Sequence, residues 1–112
     1  MEPQLNVRFY HNVYDKYSFG IQYSHNYTCV AFAFCSPKDQ FCRKTARSII
    51  NGRISSGIGI YTIDRGFAPP ERKNLFHAIR DLANKANKQS YRTSYIANLI
   101  TSIETNIPKD NG

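Results

Sequence analysis

Five basic residues lie close together in the middle of the chain: Lys38, Arg43, Lys44, Arg47 and Arg53. Arg43 and Arg47 are four positions apart, so on a helix their Cβ atoms would lie about 5–6 Å from each other. A guanidinium binds phosphate through two parallel hydrogen bonds, which makes arginine the cation best shaped for this anion. The spacing therefore predicts a phosphate-binding surface at these residues. The alternative is a helix whose cationic side simply faces water.

The residues before this cluster predict where its helix begins. Ser36 and Pro37 are typical of a helix N-cap and of a first helical position, and Asp39 suits the first turn. We therefore expect a helix over residues 37–51, ended by Gly52. The free N–H groups and partial positive charge of its N-terminus favour an anion, although Asp39 would compete for that place.

A second set of residues combines aromatic rings with cations nearer the C-terminus. Aromatic faces stack on nucleobases, while arginine binds phosphates and base edges. The candidates are Phe76, Arg80, Tyr91 and Arg92. Tyr91 and Arg92 stand at an expected helix start, which favours their exposure. For Phe76 the alternative is a place in the hydrophobic core.

The sequence contains no recognisable catalytic or metal-binding motif. None of the three histidines neighbours a serine or cysteine in a nucleophile motif, and no pair of them has metal-ligand spacing. The spacing of Cys35 and Cys42 fits no zinc site, and we expect the cysteines to be buried small hydrophobic residues. We therefore expect a protein that is not an enzyme and that has no metal and no cofactor.

The periodicity of the apolar residues predicts an α+β fold. Alternation with a period of two indicates strands, and apolar residues three and four positions apart indicate helices. The four antiparallel strands are expected at about 4–14, 17–23, 27–35 and 54–63. One inserted amphipathic helix is expected at about 37–51, and two C-terminal helices at about 70–88 and 91–106. Gly57 and Gly59, within the fourth strand, predict a bulge.

Length and charge restrict the class of protein further. The 112 residues are 41% hydrophobic, which suits a single domain spanning 1–112 with one modest core. No apolar run approaches the ~20 residues of a membrane span, and the N-terminus has no signal-peptide pattern, so a cytoplasmic protein is expected. The net charge is +7. Twelve of the fifteen Lys and Arg residues lie between positions 38 and 92, which favours an anionic partner.

The segment 33–53, AFCSPKDQFCRKTARSIINGR, resembles a segment of small phage proteins: a strand, Ser-Pro-Lys-Asp, Phe-x-Arg-Lys, and x-Arg-x-Ile-x-x-Gly-Arg. These proteins are the first-described family of Thoeris anti-defence proteins. The similarity covers about twenty residues, and Ala46 stands where the family pattern has glycine.

The resemblance implies a phage sponge that sequesters a cyclic nucleotide immune signal without cleaving it. The signal would be a cyclic ADP-ribose isomer or a cyclic oligonucleotide, bound in the bacterial host cytoplasm. The resemblance also implies a homo-oligomer, either a dimer or an assembly of dimers, with pockets shared between subunits. Two alternatives stay open: a basic protein that binds nucleic acid or inhibits a host nucleic-acid-binding effector, and an enzyme acting on a cyclic nucleotide.

Overall fold

The computed structural model describes residues 6–89 and 92–106, and it has the α+β architecture that the sequence predicts. Four strands form one antiparallel sheet in the order β1-β2-β3-β4. The strands are β1 (Val7–Asn12), β2 (Tyr17–Tyr23), β3 (Thr28–Phe34) and β4 (Tyr61–Ile63). The helices are α1 (Arg43–Ser56), α2 (Pro69–Ala86) and α3 (Arg92–Asn106). Within the described residues, no helix is long and apolar enough to cross a membrane.

The sheet lies between two layers of helix, because its strands are apolar on both faces. On one face, Ala31 and Ala33 of β3 pack against Ile50 and Ile54 of α1. The close fit of α1 depends on Gly20 in β2. A Cβ atom at that position would lie 2.6 Å from Cγ2 of Ile50, so only glycine lets the helix approach this closely.

The opposite face of the sheet carries the larger core, which α2 and α3 cover. Leu75, Ile79 and Leu82 of α2, which are three and four positions apart, are buried there together with Ile96 of α3. The bounds of α2 and α3 agree with the predicted helices over 70–88 and 91–106 to within two residues. Residue 91 itself lies outside the described residues.

The predicted start of the first helix at residue 37 is wrong, since α1 begins at Arg43. The backbone carbonyls of Pro37 and Asp39, which a helix would use internally, instead accept hydrogen bonds from Lys16 Nζ at 3.0 and 2.8 Å. Lys16 thus holds residues 36–42 as a loop. Of the predicted cap, the structure keeps one long hydrogen bond, from the N–H of Lys38 to Ser36 Oγ at 3.4 Å.

The predicted end of that helix at residue 51 and the predicted start of the fourth strand at residue 54 are also wrong, although a fourth strand is present and ends at Ile63 as predicted. α1 continues through Gly52 to Ser56 and ends at Gly57, which has a left-handed φ of 72° and donates its N–H to the carbonyl of Arg53. Gly59 also has a positive φ, 75°. The two glycines therefore form a turn after the helix rather than a bulge in a strand, and β4 is limited to Tyr61–Ile63.

Candidate functional site

The shortness of β4 leaves half of one edge of β3 without a neighbouring strand. β4 pairs with β3 only from Thr28 to Val30. If the same register continued, Gly59 would stand opposite Phe32 and Gly57 opposite Phe34. Their left-handed φ angles take the polypeptide away from the sheet instead. The sheet layer is therefore missing beside residues 31–34, while helices still lie above and below.

This gap is an open slot of about 840 Å³. Its inner edge is the backbone and rings of Phe32 and Phe34, and one end is formed by Tyr61. α1 forms the upper wall, the N-terminal turn of α3 forms the lower wall, and the turn over 57–60 contributes Ile58 on the outer side. The Ile58 side chain is 74% exposed, which is unusual for a residue of this kind.

Two arginines stand on the two walls of the slot. Arg53 of α1 donates a hydrogen bond from Nη1 to the backbone carbonyl of Phe32. Arg92 of α3 places its guanidinium over the Phe34 ring, 4.9 Å from the centroid. Among the described residues, Arg92 Nε is a buried nitrogen with no hydrogen-bond partner. A buried donor of this kind is costly to leave unpaired, so it favours a ligand that brings an acceptor.

Three aromatic rings lie side by side at the slot, of which Phe34 and Tyr61 are partly exposed and Phe32 is buried, at 2% exposure. Phe32 and Phe34 are stacked, with centroids 5.8 Å apart and an interplanar angle of 9°. Tyr61 meets Phe32 edge-on at 5.8 Å. Ile49 of α1, 41% exposed, adds an apolar contact on the opposite wall. Flat apolar surfaces flanked by guanidinium groups are suited to planar, anionic ligands.

Of the predicted binding residues, the structure brings Arg53 and Arg92 together at the slot and places the others elsewhere. Arg43, Lys44 and Arg47 are exposed on α1, but a helical projection puts Arg43 and Arg47 on the flank away from the slot. They lie near His11 of β1, whose pKa is lowered by burial and further by the charges of Arg47 and Arg43. The three basic residues of α1 at positions 43, 44 and 47 form what we call the α1 cationic surface.

The remaining predicted residues are also distant from the slot lining. Lys38 is exposed in the loop before α1. Phe76 packs half-buried against Tyr10 and Phe19, which agrees with the core alternative. Arg80 is half-buried on α2 and does not line the slot. Tyr91 lies outside the described residues, so its predicted stacking role is not placed.

A smaller cavity of about 280 Å³ lies under the loop before α1 and contains two of the three free cysteines. The expectation that all cysteines are buried holds only for Cys29, because Cys35 is half-buried and Cys42 is exposed. Hydrogen bonds from the side chain and backbone of Thr45, at the start of α1, lower the pKa of Cys42. Within residues 6–89 and 92–106, no three His, Cys, Asp or Glu side chains are grouped so that they could hold a metal ion.

The aromatic edge of the slot did not emerge from the sequence pattern. The apolar run that contains Phe32 and Phe34 predicts a central strand, paired on both sides. The signal that could have revealed the slot is the Gly57-Ile58-Gly59 triplet, because two closely spaced glycines next to a helix end indicate a turn rather than a strand. No family model, curated protein or solved structure matches this sequence.

Proposed function

We propose that this protein binds a cyclic nucleotide in the slot and sequesters it without cleaving it. The ligand would be a cyclic ADP-ribose isomer or a cyclic oligonucleotide that serves as an immune signal, and the protein would act as a phage anti-defence sponge in the host cytoplasm. The observation that carries the proposal is the pairing of Arg53 and Arg92 on two walls of an aromatic slot. The resemblance of residues 33–53 supports the choice of ligand class.

The chemistry of the slot suits both parts of a nucleotide. Phosphates would take the guanidinium groups, including Arg92 Nε, which has no hydrogen-bond partner among the described residues, while Ile49 and Phe34 would provide apolar contacts to a base. The volume of about 840 Å³ lies within the range of about 300–1,000 Å³ that is usual for small-molecule sites. The net charge of +7 would attract the anion over longer distances.

The slot is open on its outer side, where Ile58 is exposed. Tight sequestration requires most of the ligand surface to be buried. A homodimer or an assembly of dimers, which the resemblance implies, would supply a second copy to close the slot. The subunit count is therefore part of the same proposal.

Native mass spectrometry tests the function directly. The protein would be measured alone and with a panel of cyclic ADP-ribose isomers and cyclic di- and trinucleotides, and bound samples would then be heat-denatured. A stoichiometric mass increase, followed by release of intact ligand, is expected. Release of a ligand of changed mass would show an enzyme instead. No mass increase with any member of the panel would overturn the proposal.

A matched pair of double variants locates the site. Arg53→Glu with Arg92→Glu reverses both charges at the slot, whereas Arg43→Glu with Arg47→Glu changes the net charge equally at the α1 cationic surface. The first pair should abolish the mass increase, and the second should preserve it. The opposite result would move the site to the α1 cationic surface.

A second candidate function is nucleic-acid binding, which the α1 cationic surface favours because Arg43, Lys44 and Arg47 are all exposed outside the slot. Contacts with phosphates along a nucleic acid release counterions, so the affinity should fall steeply with salt. Binding of a labelled DNA duplex at increasing salt measures this, and Arg43→Glu with Arg47→Glu should weaken it. DNA binding that this double variant leaves unchanged would exclude the α1 cationic surface as the DNA-binding site.

A further inference from the structure

We infer that the open edge of β3 recognises the pairing edge of a nucleobase, which lies flat in the slot in the place that a longer β4 would occupy. This inference rests on the proposed function and deepens it, because it states which part of the ligand is read and by which atoms. The recognising atoms are the backbone carbonyl oxygen of Phe32 and the backbone N–H of Phe34.

The direction of these backbone groups follows from the pairing of β3 with β2. The N–H of Cys35 donates to the carbonyl of Lys16 at 2.8 Å, so this residue bonds towards β2. Backbone groups alternate in direction along a strand, so Phe34 and Phe32 point to the other edge. The hydrogen bond from Arg53 to the Phe32 carbonyl, made from the slot side, agrees with this direction.

The two groups form a pattern that matches a nucleobase. The carbonyl of Phe32 and the N–H of Phe34 flank a single residue and offer one acceptor and one donor side by side. The pairing edge of adenine has the complementary order, an exocyclic amino donor next to a ring-nitrogen acceptor. In the described residues the register places no strand opposite this pair, since pairing with β4 ends at Val30. Arg53 donates to the Phe32 carbonyl and Phe32 is only 2% exposed, so a base gains this edge by displacing the Arg53 guanidinium.

The layers on either side of the sheet suit a flat ring. A base that continues the plane of the sheet would have α1, with Ile49, on one face and the start of α3, with Arg92 and Thr93, on the other. Ile49 is 41% exposed and offers an apolar surface, whereas Ile96 beneath the start of α3 is 1% exposed and packs in the core. The base would thus be held by its edge and contacted on its two faces.

Arg53 links base recognition to phosphate binding. Its guanidinium donates a hydrogen bond to the Phe32 carbonyl in the present structure. An amino group of the base would take over that carbonyl and release the guanidinium for a phosphate. An extended peptide could also pair with this edge, but two cationic side chains, Arg53 and Arg92, on the slot favour an anionic occupant. For this reason we assign the edge to a nucleotide.

Modified ligands test the inference with the intact protein. Calorimetric titrations would use cyclic di-AMP, its etheno derivative, in which a ring blocks the amino group and the adjacent ring nitrogen, and its deaza analogue, which lacks only the imidazole nitrogen on the opposite edge. Because it cannot form these hydrogen bonds, the etheno derivative should bind more weakly by about tenfold or more. The deaza analogue is the matched control and should bind within about twofold of the parent compound.

Selective labelling provides a readout on the protein itself. The sequence has seven phenylalanines, so a sample labelled with nitrogen-15 phenylalanine should give a simple amide spectrum. The variant Phe34→Leu identifies the Phe34 signal by removing it, and this variant keeps the backbone N–H. On addition of cyclic di-AMP, the Phe34 amide should move downfield and exchange more slowly with solvent.

The outcomes separate the inference from the function on which it rests. Equal binding of cyclic di-AMP and its etheno derivative, or an unchanged Phe34 amide at saturation, would overturn the edge assignment and leave nucleotide binding in place. Binding of no cyclic nucleotide at all would overturn both. Displacement of bound cyclic di-AMP by an uncharged strand-forming peptide, with the same Phe34 shift, would reassign the edge to peptides.

Discussion

Arg53 on α1 donates a hydrogen bond to the backbone carbonyl of Phe32 on β3, across the gap that the short β4 leaves in the sheet. A charged donor thus satisfies a carbonyl that would otherwise belong to a strand ladder. The same guanidinium also lines the slot. A ligand donor that takes over the Phe32 carbonyl would therefore free a cation inside the slot.

The variant Arg53→Met should weaken the binding of cyclic di-AMP by about 10- to 100-fold, since hydrogen bonds to charged groups contribute about 1.5–3 kcal/mol. Arg47→Met is the control, because it removes an equal charge from the same helix on the flank away from the slot. Calorimetric titration measures both. An equal loss in the two variants would indicate a general effect of charge rather than a site.

The pKa of His11 should respond to changes in charge at the α1 cationic surface. Burial and the charges of Arg47 and Arg43 lower its pKa below the ordinary value of 6.5. The unfolded protein therefore binds the proton first, and this residue's contribution to folding stability is lost as the pH falls below about 6.5. Replacing Arg47 by Gln should raise the pKa of His11 in an NMR titration, while Arg53→Gln should leave it unchanged.

The pKa of His11 also distinguishes between the two candidate functions. DNA on the α1 cationic surface would neutralise Arg43 and Arg47 and would raise the pKa of His11. A cyclic dinucleotide in the slot would leave that pKa unchanged, because the slot lies on the other flank of α1. A rise in the pKa with cyclic di-AMP would therefore contradict the slot assignment.

The sheet and the C-terminal helices could be predicted because their information is local. The alternation in β1 and β2, the apolar run of β3 and the apolar stripe of Leu75, Ile79 and Leu82 depend only on neighbouring residues. The start of α1 could not be predicted in the same way. The pattern at Ser36 is a good helix start, but Lys16, about twenty positions away, takes the carbonyls that the helix would need.

Alanine substitution of two glycines, one inside α1 and one directly after it, should change the free energy of unfolding in opposite directions. Gly52 lies inside the helix with open space where a Cβ atom would be added, so Gly52→Ala should raise the free energy of unfolding by about 0.5–1 kcal/mol. Gly57 has a φ of 72°, so Gly57→Ala should lower it by about 1–2 kcal/mol. Urea unfolding measures both. Stabilisation at position 57 would contradict the observed helix end.

The candidate site was predictable only in part. Arg53 and Arg92 are among the candidate cations that the sequence offers, and both line the slot. Arg43 and Arg47, whose spacing carried the prediction, lie on the other flank of α1. What makes the slot, however, is a strand edge left open by a turn at Gly57 and Gly59. Such an opening depends on where a pairing stops, which is a property of two distant segments and not of either sequence alone.

The thiol of Cys42 should react with alkylating reagents at a rate clearly different from that of Cys29. It is exposed, and hydrogen bonds from Thr45 lower its pKa, whereas burial raises the pKa of Cys29. Because the thiolate is the nucleophile, iodoacetamide at neutral pH should modify Cys42 faster than Cys29 by about tenfold or more. Peptide mass spectrometry measures the rates. Thr45→Val should slow the modification of Cys42, and an unchanged rate would exclude the Thr45 hydroxyl as the cause.

The open edge of β3 has a consequence for how this protein tolerates mutation. Backbone groups persist through nearly every substitution, so any residue that keeps positions 32 and 34 extended retains the same carbonyl and N–H. The walls are different, because Ile49, Ile58 and Arg92 contribute through their side chains. Sequence divergence can therefore change the walls of the slot while the backbone groups along the open edge of β3 are retained.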